Sequence, residues 1–246
     1  MKKVYTIASG KGGTGKTTFS VNVGIAMARN FGYRVLVVDS DFMLPSVGAL
    51  IGIVPQCGLK QLLSHNSEKY LRSAVQQTKF GIDVLVYYSD FNKNAVITLA
   101  QMKWFADGVL KLPYDVVIFD AGAGINRTML ELVSRSTDVI IVTMPDPVAL
   151  VGSYKTIAYV KEFNESCIIY YVINRVTDIR MAMRYVSHYI SLVRSKLNRE
   201  IVLVDMIPHE QAVIDAGVRQ IPFYTAASSR ARASLDAITH RLSGIL

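Results

Sequence analysis

Short apolar runs recur along the chain, separated by stretches of helical period. The runs are Val4–Ala8, Arg34–Asp39, Asp83–Tyr88, Asp115–Asp120, Asp138–Met144, Ser166–Ile173 and Ile201–Asp205. Most are continuous and rich in β-branched residues, the pattern of strands covered on both faces. Between them, Thr17–Arg29, Lys93–Leu110, Arg127–Ser134, Val148–Phe163, Ile179–Leu197 and Ser228–Leu242 carry apolar residues at helical spacing. In the first helix, Phe19, Val23, Ile25 and Ala26 are expected to face inward. This alternation predicts an α/β fold, a doubly wound, mostly parallel sheet with helices on both faces. No polar linker or repeat interrupts it, so a single domain is expected over residues 1–246. Ligands of such sheets lie beyond the carboxyl ends of the strands, so the chemistry should follow each run.

The first run leads into Ser9-Gly10-Lys11-Gly12-Gly13-Thr14-Gly15-Lys16-Thr17-Thr18. Gly10, Gly15, Lys16 and Thr17 fit the phosphate-loop pattern G-x-x-x-x-G-K-[ST]. Glycines let the backbone turn through positive φ and approach a ligand. Successive N–H groups then form a nest for phosphate oxygens, and the N-terminus of the following helix adds partial positive charge. A nucleoside triphosphate is the implied ligand, cradled by Gly12, Gly13, Thr14, Gly15 and Thr18. Lys16 is expected to reach its β- and γ-phosphates, and the Thr17 hydroxyl to ligate Mg²⁺. Lys11 is surplus to the pattern. Two readings are open for it: a side chain in solvent, or one reaching a phosphate bound by another subunit.

Three aspartates follow strands. Asp120 ends Val116-Val117-Ile118-Phe119-Asp120, and Asp39 and Asp41 lie in Val37-Val38-Asp39-Ser40-Asp41. Four apolar residues and an aspartate make the usual second nucleotide motif, whose carboxylate holds Mg²⁺ opposite Thr17. Gly122 and Gly124 follow, so the backbone there can approach a γ-phosphate. Asp41 is a candidate for orienting the attacking water, and Asp39 for supporting the metal shell. The competing reading of Asp120 is a cap for the next helix, and of Asp-Ser-Asp a turn.

Composition narrows the setting. About half of the 246 residues are apolar, enough for a sizeable core. No apolar run approaches the length of a membrane-spanning helix. Met1-Lys2-Lys3 leads directly into a strand and the glycine-rich loop, unlike a cleavable signal. Cys57 and Cys167 are far apart and belong to no C-x-x-C. A disulfide framework or zinc site is therefore not expected, and the cytoplasm is the expected compartment. The net charge of +8 suits a polyanion, either DNA or an anionic membrane surface. It equally suits a basic nucleotide site on a merely basic surface.

These motifs together resemble the MinD/ParA family of deviant phosphate-loop ATPases. Lys11-Gly12-Gly13-Thr14-Gly15-Lys16-Thr17-Thr18 is similar to that family's signature. The resemblance continues through Val35–Asp41, Tyr114–Gly124, Ser136–Pro147, Val172-Ile173-Asn174-Arg175, Ile207-Pro208-His209-Glu210 and Arg219–Phe223. It implies an ATP-dependent homodimer with nucleotides sandwiched between the subunits. It makes Lys11, Lys16 and Asp41 the catalytic residues, with Lys11 crossing to the partner's phosphates. It also implies that Asn174 recognises adenine, and that Pro208 and Glu210 line the base and ribose. Asp39-Ser40-Asp41-Phe42-Met43-Leu44-Pro45-Ser46 looks more like the MinD side than the partition side, where Asp-Pro-Gln is usual. Asp120–Ile125 and Arg219–Phe223 look like the flagellar-number regulators within it.

The implied function is a MinD-like ATPase serving as a spatial switch for division-site, flagellar or cargo positioning, stimulated by an activating partner protein. The alternative is a ParA-type partition ATPase whose ATP dimer binds DNA non-specifically. A metallocluster-assembly ATPase would need paired cysteines near the interface, which this chain lacks. Near the C-terminus, Leu235, Ile238, Leu242 and Ile245 recur at helical spacing. That segment suits either an interfacial helix on the inner face of the cell membrane or a last helix packed on the sheet.

Overall fold

The computed structural model describes residues 2–64, 68–89, 97–226 and 228–244. Its strands are β1 (Lys3–Ala8), β2 (Val35–Ser40), β3 (Val75–Gln77), β4 (Asp83–Leu85), β5 (Val116–Ala121), β6 (Asp138–Thr143), β7 (Ile168–Val176) and β8 (Val202–Pro208). They form one sheet in the order β3-β4-β2-β5-β1-β6-β7-β8. Every pair is parallel except β3 with β4. From β1 the chain moves out to β2 on one side and later to β6, β7 and β8 on the other. The loop after β1 therefore opens where the winding reverses, the place where such sheets bind ligands.

The helices are α1 (Lys16–Phe31), α2 (Val47–Ile51), α3 (Leu59–Ser64), α4 (Glu68–Ala74), α5 (Leu99–Lys111), α6 (Arg127–Val133), α7 (Pro147–Phe163), α8 (Ile179–Leu197), α9 (Gln211–Val218) and α10 (Arg230–Ser243). Successive strand residues point to opposite faces, and both faces are covered. Tyr5, Ile7, Val35, Val37 and Ile118 pack under α1 and α10. Val4, Leu36, Val38, Val117 and Phe119 pack under the layer that contains α5. This two-sided burial explains why β2, β5 and β6 read as unbroken apolar runs.

Two of the departures from the expected element limits have local reasons. Helix α5 begins at Leu99, not Lys93, and residues 93–96 lie outside the described residues. Thr98 accepts from the Gln101 N–H at 3.2 Å, and Gln101 accepts from the Thr98 N–H at 2.9 Å, a capping box that fixes the start. The run Asp83–Tyr88 pairs as a strand only over Asp83–Leu85, with Tyr88 returning as an isolated bridge to Gly58.

Of the two places expected for the C-terminal helix, the structure shows the one packed on the sheet. Leu235, Ile238 and Leu242 of α10 are buried in the core beside α1 and β8. The Tyr5 hydroxyl donates to the Leu242 carbonyl at 3.1 Å. Burial of these three side chains is worth roughly 5–9 kcal/mol, which unpacking α10 toward lipid would forfeit. Its apolar face is thus occupied by the sheet; Ile245 lies outside the described residues. Among the described residues, no helix is long and apolar enough to cross a membrane.

Candidate functional site

The loop after β1 is held by its glycines and by α7. Gly13 and Gly15 sit at φ 78° and 91°, where side chains are disfavoured, and Gly15 caps the start of α1. A Cβ on Gly10 would fall 1.9 Å from the Gly152 carbonyl carbon, so the backbones of loop and α7 touch. Lys16, the first residue of α1, is buried, and its ammonium donates to the Ser9 hydroxyl at 2.8 Å. Ser9 in turn donates to the Lys11 carbonyl at 2.7 Å. Burial lowers the Lys16 pKa, while the charges of Asp120 and Asp41 oppose the shift. The Thr14 hydroxyl is buried without a partner. A cradle with an orphaned hydroxyl and a desolvated ammonium fits a phosphate chain.

Asp39 and Asp120 are register partners on adjacent strands, and both are buried. Asp39 accepts the N–H groups of Ser46 at 2.7 Å and Val47 at 2.8 Å through Oδ2, and that of Asp41 at 3.2 Å through Oδ1. It thereby caps α2 and folds the loop between them. Burial pushes its pKa up to about 7, with the Asp120 charge adding and the three N–H groups opposing. Asp120 accepts from the Ser20 hydroxyl at 2.8 Å. Burial pushes it up to about 6, against hydrogen bonds from Thr17 and Ser20 and the Lys16 charge. The Thr17 hydroxyl lies 3.1 Å from that of Ser46.

Thr17, Asp39 and Asp120 thus gather hard oxygen donors at one strand end. Among the described residues, no group of three His, Cys, Asp or Glu side chains converges. A cation here would need further oxygens from water and phosphate, which is the habit of Mg²⁺. Asp41 Oδ1 accepts the N–H groups of Met43 at 3.2 Å and Leu44 at 3.0 Å. A Cβ on Gly122 would come within 3.1 Å of its carboxyl, so the glycine after β5 leaves room for that group.

A cavity of about 350 Å³ opens beside the loop, bordered by Gly15, Thr18, Asn174, Pro208, Glu210 and Phe223. Asn174 donates to the Thr14 carbonyl at 2.8 Å and accepts the Arg175 N–H at 2.9 Å. One amide hydrogen and one lone pair remain. Glu210 accepts from Arg230 Nε and the Ala231 N–H, both at 3.0 Å, which turns its carboxylate toward α10.

Lys11 rests in its own chain, its ammonium 3.5 Å from Asp146 Oδ1. That oxygen also caps α7 by accepting the Ala149 N–H at 3.0 Å. The structure therefore brings together all of the residues singled out in the loop and at the strand ends, and places Asn174 and Pro208 around the adjoining cavity. Sequence reasoning missed Gly152. A lone glycine within a helical pattern was the available signal.

Two outcomes follow from this packing. Gly10→Ala should destabilise the chain by about 1–3 kcal/mol in urea unfolding, because backbone cannot yield as a side-chain tip can. Asp39 and Asp120 hold protons in the native chain that the unfolded chain releases, since ordinary aspartates titrate near 3.9. Without nucleotide or metal, their contribution to stability should therefore fall as pH rises from about 4 to 7. The urea midpoint should drop across that window, and Asp39→Asn should flatten the drop; an unchanged slope in the variant would refute the assignment.

Comparison with known proteins identifies the family. The family described as the CobQ/CobB/MinD/ParA nucleotide binding domain matches residues 5–223. The putative septum site-determining protein MinD of Guillardia theta is 28% identical over 215 residues, covering 87% of this chain and 78% of that protein. The antiactivator FleN of Pseudomonas aeruginosa is 25% identical over 239 residues, covering 95% and 82%. The structure of the septum site-determining protein MinD from Pyrococcus horikoshii, complexed with Mg-ADP, superposes with a TM-score of 0.79 at 21% identity, over 100% of this chain and 98% of that one. That likeness concerns the fold, whereas the family match runs from β1 to Phe223. This chain belongs to the CobQ/CobB/MinD/ParA family of nucleotide-binding domains.

Proposed function

We propose that the chain is a Mg²⁺-dependent ATPase of the MinD kind, a cytoplasmic spatial switch that pairs with a second copy of itself when ATP is bound. The observation that carries this reading is Lys11, beside a complete phosphate loop and paired through one 3.5 Å contact with the half-buried Asp146. Lys16 and the loop N–H groups bind the phosphates, and Asn174 uses its remaining donor and acceptor on adenine, with Pro208 and Glu210 at the rim. Thr17 and Asp120 hold Mg²⁺, with Asp39 supporting them from behind. The metal, when bound, draws charge from the β- and γ-phosphates. Asp41 orients the attacking water, a contribution of position more than of proton removal.

The Lys11–Asp146 pair is exchangeable. Lys11 and Asp146 side chains are 40% and 34% exposed, and such a pair is worth about 0–1 kcal/mol. A charge-assisted bond to phosphate is worth about 1.5–3 kcal/mol. Lys11 would therefore leave Asp146 for the partner subunit's nucleotide. An activating partner protein would complete the positioning and speed hydrolysis, which separates the subunits.

A second reading, a partition-type ATPase whose dimer binds DNA, has one observation in its favour. Exposed Arg180, Arg184, His188 and Arg194 of α8 alternate with Ser187 and Ser191, and the helix contains no acidic residue.

Three experiments test these readings. Lys11→Ala should bind ATP yet remain monomeric by light scattering, and hydrolysis should fall at least about 100-fold. Asp41→Ala should bind ATP and dimerise, with hydrolysis slowed about 100-fold or more. An ATP-dependent dimer in Lys11→Ala would sink the crossing role. For the second reading, ATP-dependent retention on DNA should weaken steeply with salt and be lost in Arg180→Glu/Arg184→Glu; no retention at low salt excludes it.

A further inference from the structure

The segment Arg219-Gln220-Ile221-Pro222-Phe223 separates two cavities. On one side, Gly217 and Phe223 line the cavity that also holds Asn174 and Pro208. On the other, Gln220 lines a cavity of about 430 Å³ together with Asp39, Gly48 and Tyr87. The nucleotide-base site and the buried aspartate beneath the Asp41 loop are thus neighbours across one short wall.

Gln220 itself is unusual. The Ile221 N–H donates to the Ala216 carbonyl and the Gln220 N–H to that of Gly217, both at 3.0 Å, which closes α9 in a Schellman motif. The motif requires a left-handed residue at this point, and glycine is its usual occupant. Here the position is filled by Gln220 at φ 55°. A side chain kept where glycine is favoured should have a use, and this one has a target. Its Nε2 donates to the Ala49 carbonyl of α2 at 2.9 Å, and its amide packs against Gly52, the left-handed cap of that helix.

Helix α2 is a single five-residue turn, so what holds one end is felt at the other. At its start, the Ser46 and Val47 N–H groups bind Asp39, whose other oxygen holds the Asp41 N–H. The Ser46 hydroxyl meets that of Thr17. A continuous path of named contacts therefore runs from the base cavity through Gln220 and α2 to the Asp41 loop.

We infer that Gln220 is a positioning residue that ties filling of the base cavity to placement of the 41–46 loop. This rests on the nucleotide reading above. Its consequence is that a nucleotide with its base, and not a phosphate chain alone, sets Asp41 in its working position.

Amide hydrogen exchange with Mg²⁺ and either ADP or pyrophosphate tests it. In the wild-type chain both should slow exchange at residues 9–18, while ADP should slow residues 46–51 more than saturating pyrophosphate does. In Gln220→Gly, which suits the left-handed position and should fold, the 9–18 protection should persist and the added effect at 46–51 should vanish. Gln220→Asn, one methylene too short to reach Ala49, should behave alike. In ATP hydrolysis both variants should lose about 10- to 100-fold in kcat with KM changed less than about twofold, a split that a merely structural side chain would not produce. An undiminished ADP effect at 46–51 in the variants, or none in the wild type, overturns the inference while leaving the nucleotide reading intact. No protection at 9–18 in the wild type overturns both.

Discussion

Asp39 and Asp120 stand opposite one another in the β2–β5 ladder, both buried at the carboxyl end of the sheet. Neighbouring strands are about 4.8 Å apart, so two carboxylates this close and this dry cannot both ionise cheaply. Burial is the main reason that each holds its proton above the ordinary range, with the Asp120 charge adding at Asp39 and the Asp41 charge adding at Asp120. The surroundings offer three backbone N–H groups to Asp39, and hydroxyls and an ammonium to Asp120. These partners keep the pair tolerable without removing the cost. A divalent cation supplied with a nucleotide would relieve it, so metal affinity and apo-state strain are two aspects of one arrangement.

The same pair organises what surrounds it. By binding the first N–H groups of α2, Asp39 sets the course of the segment that carries Asp41. By accepting from Ser20, Asp120 fixes α1 against β5 one turn beyond Lys16. On the far side of the phosphate loop, the Gly10–Gly152 contact seats α7 directly on the backbone. The loop is consequently clamped between α1, which opens with Lys16, and α7, whose N-cap Asp146 holds Lys11. Movement of either helix would be felt at the loop.

Most of this was legible because the sheet is covered on both faces. Strands such as Val116–Ala121 have no solvent-facing residue, and an unbroken apolar run ending in aspartate is hard to misread. The phosphate loop was legible because its spacing serves a local geometry. What escaped had no local signature. Val75-Gln76-Gln77 joins the sheet as a half-exposed edge with a single apolar residue and no alternation. The five residues of α2 are too few to show a period; Val47 and Ile51 anchor them in the core, with Asp39 bonded at one end and Gln220 at the other. The α10 stripe was ambiguous in principle, because lipid and a protein core select the same spacing of Leu and Ile. Only the placement of β8 and α1 decides between them.

The weakness of the contact that holds Lys11 is itself informative. A buried, doubly bonded lysine would be trapped, since extracting it would leave an uncompensated carboxylate behind at a cost of about 3–5 kcal/mol. Lys11 instead makes one contact of 3.5 Å, to an oxygen already engaged as a helix cap. When the lysine departs, Asp146 keeps its bond to the Ala149 N–H and α7 keeps its cap. Reaching a second subunit therefore need not unfold anything in the first. In the proposed dimer, the free energy of a new phosphate contact would go into joining the subunits, and hydrolysis would return the lysine to a resting place that has remained in order.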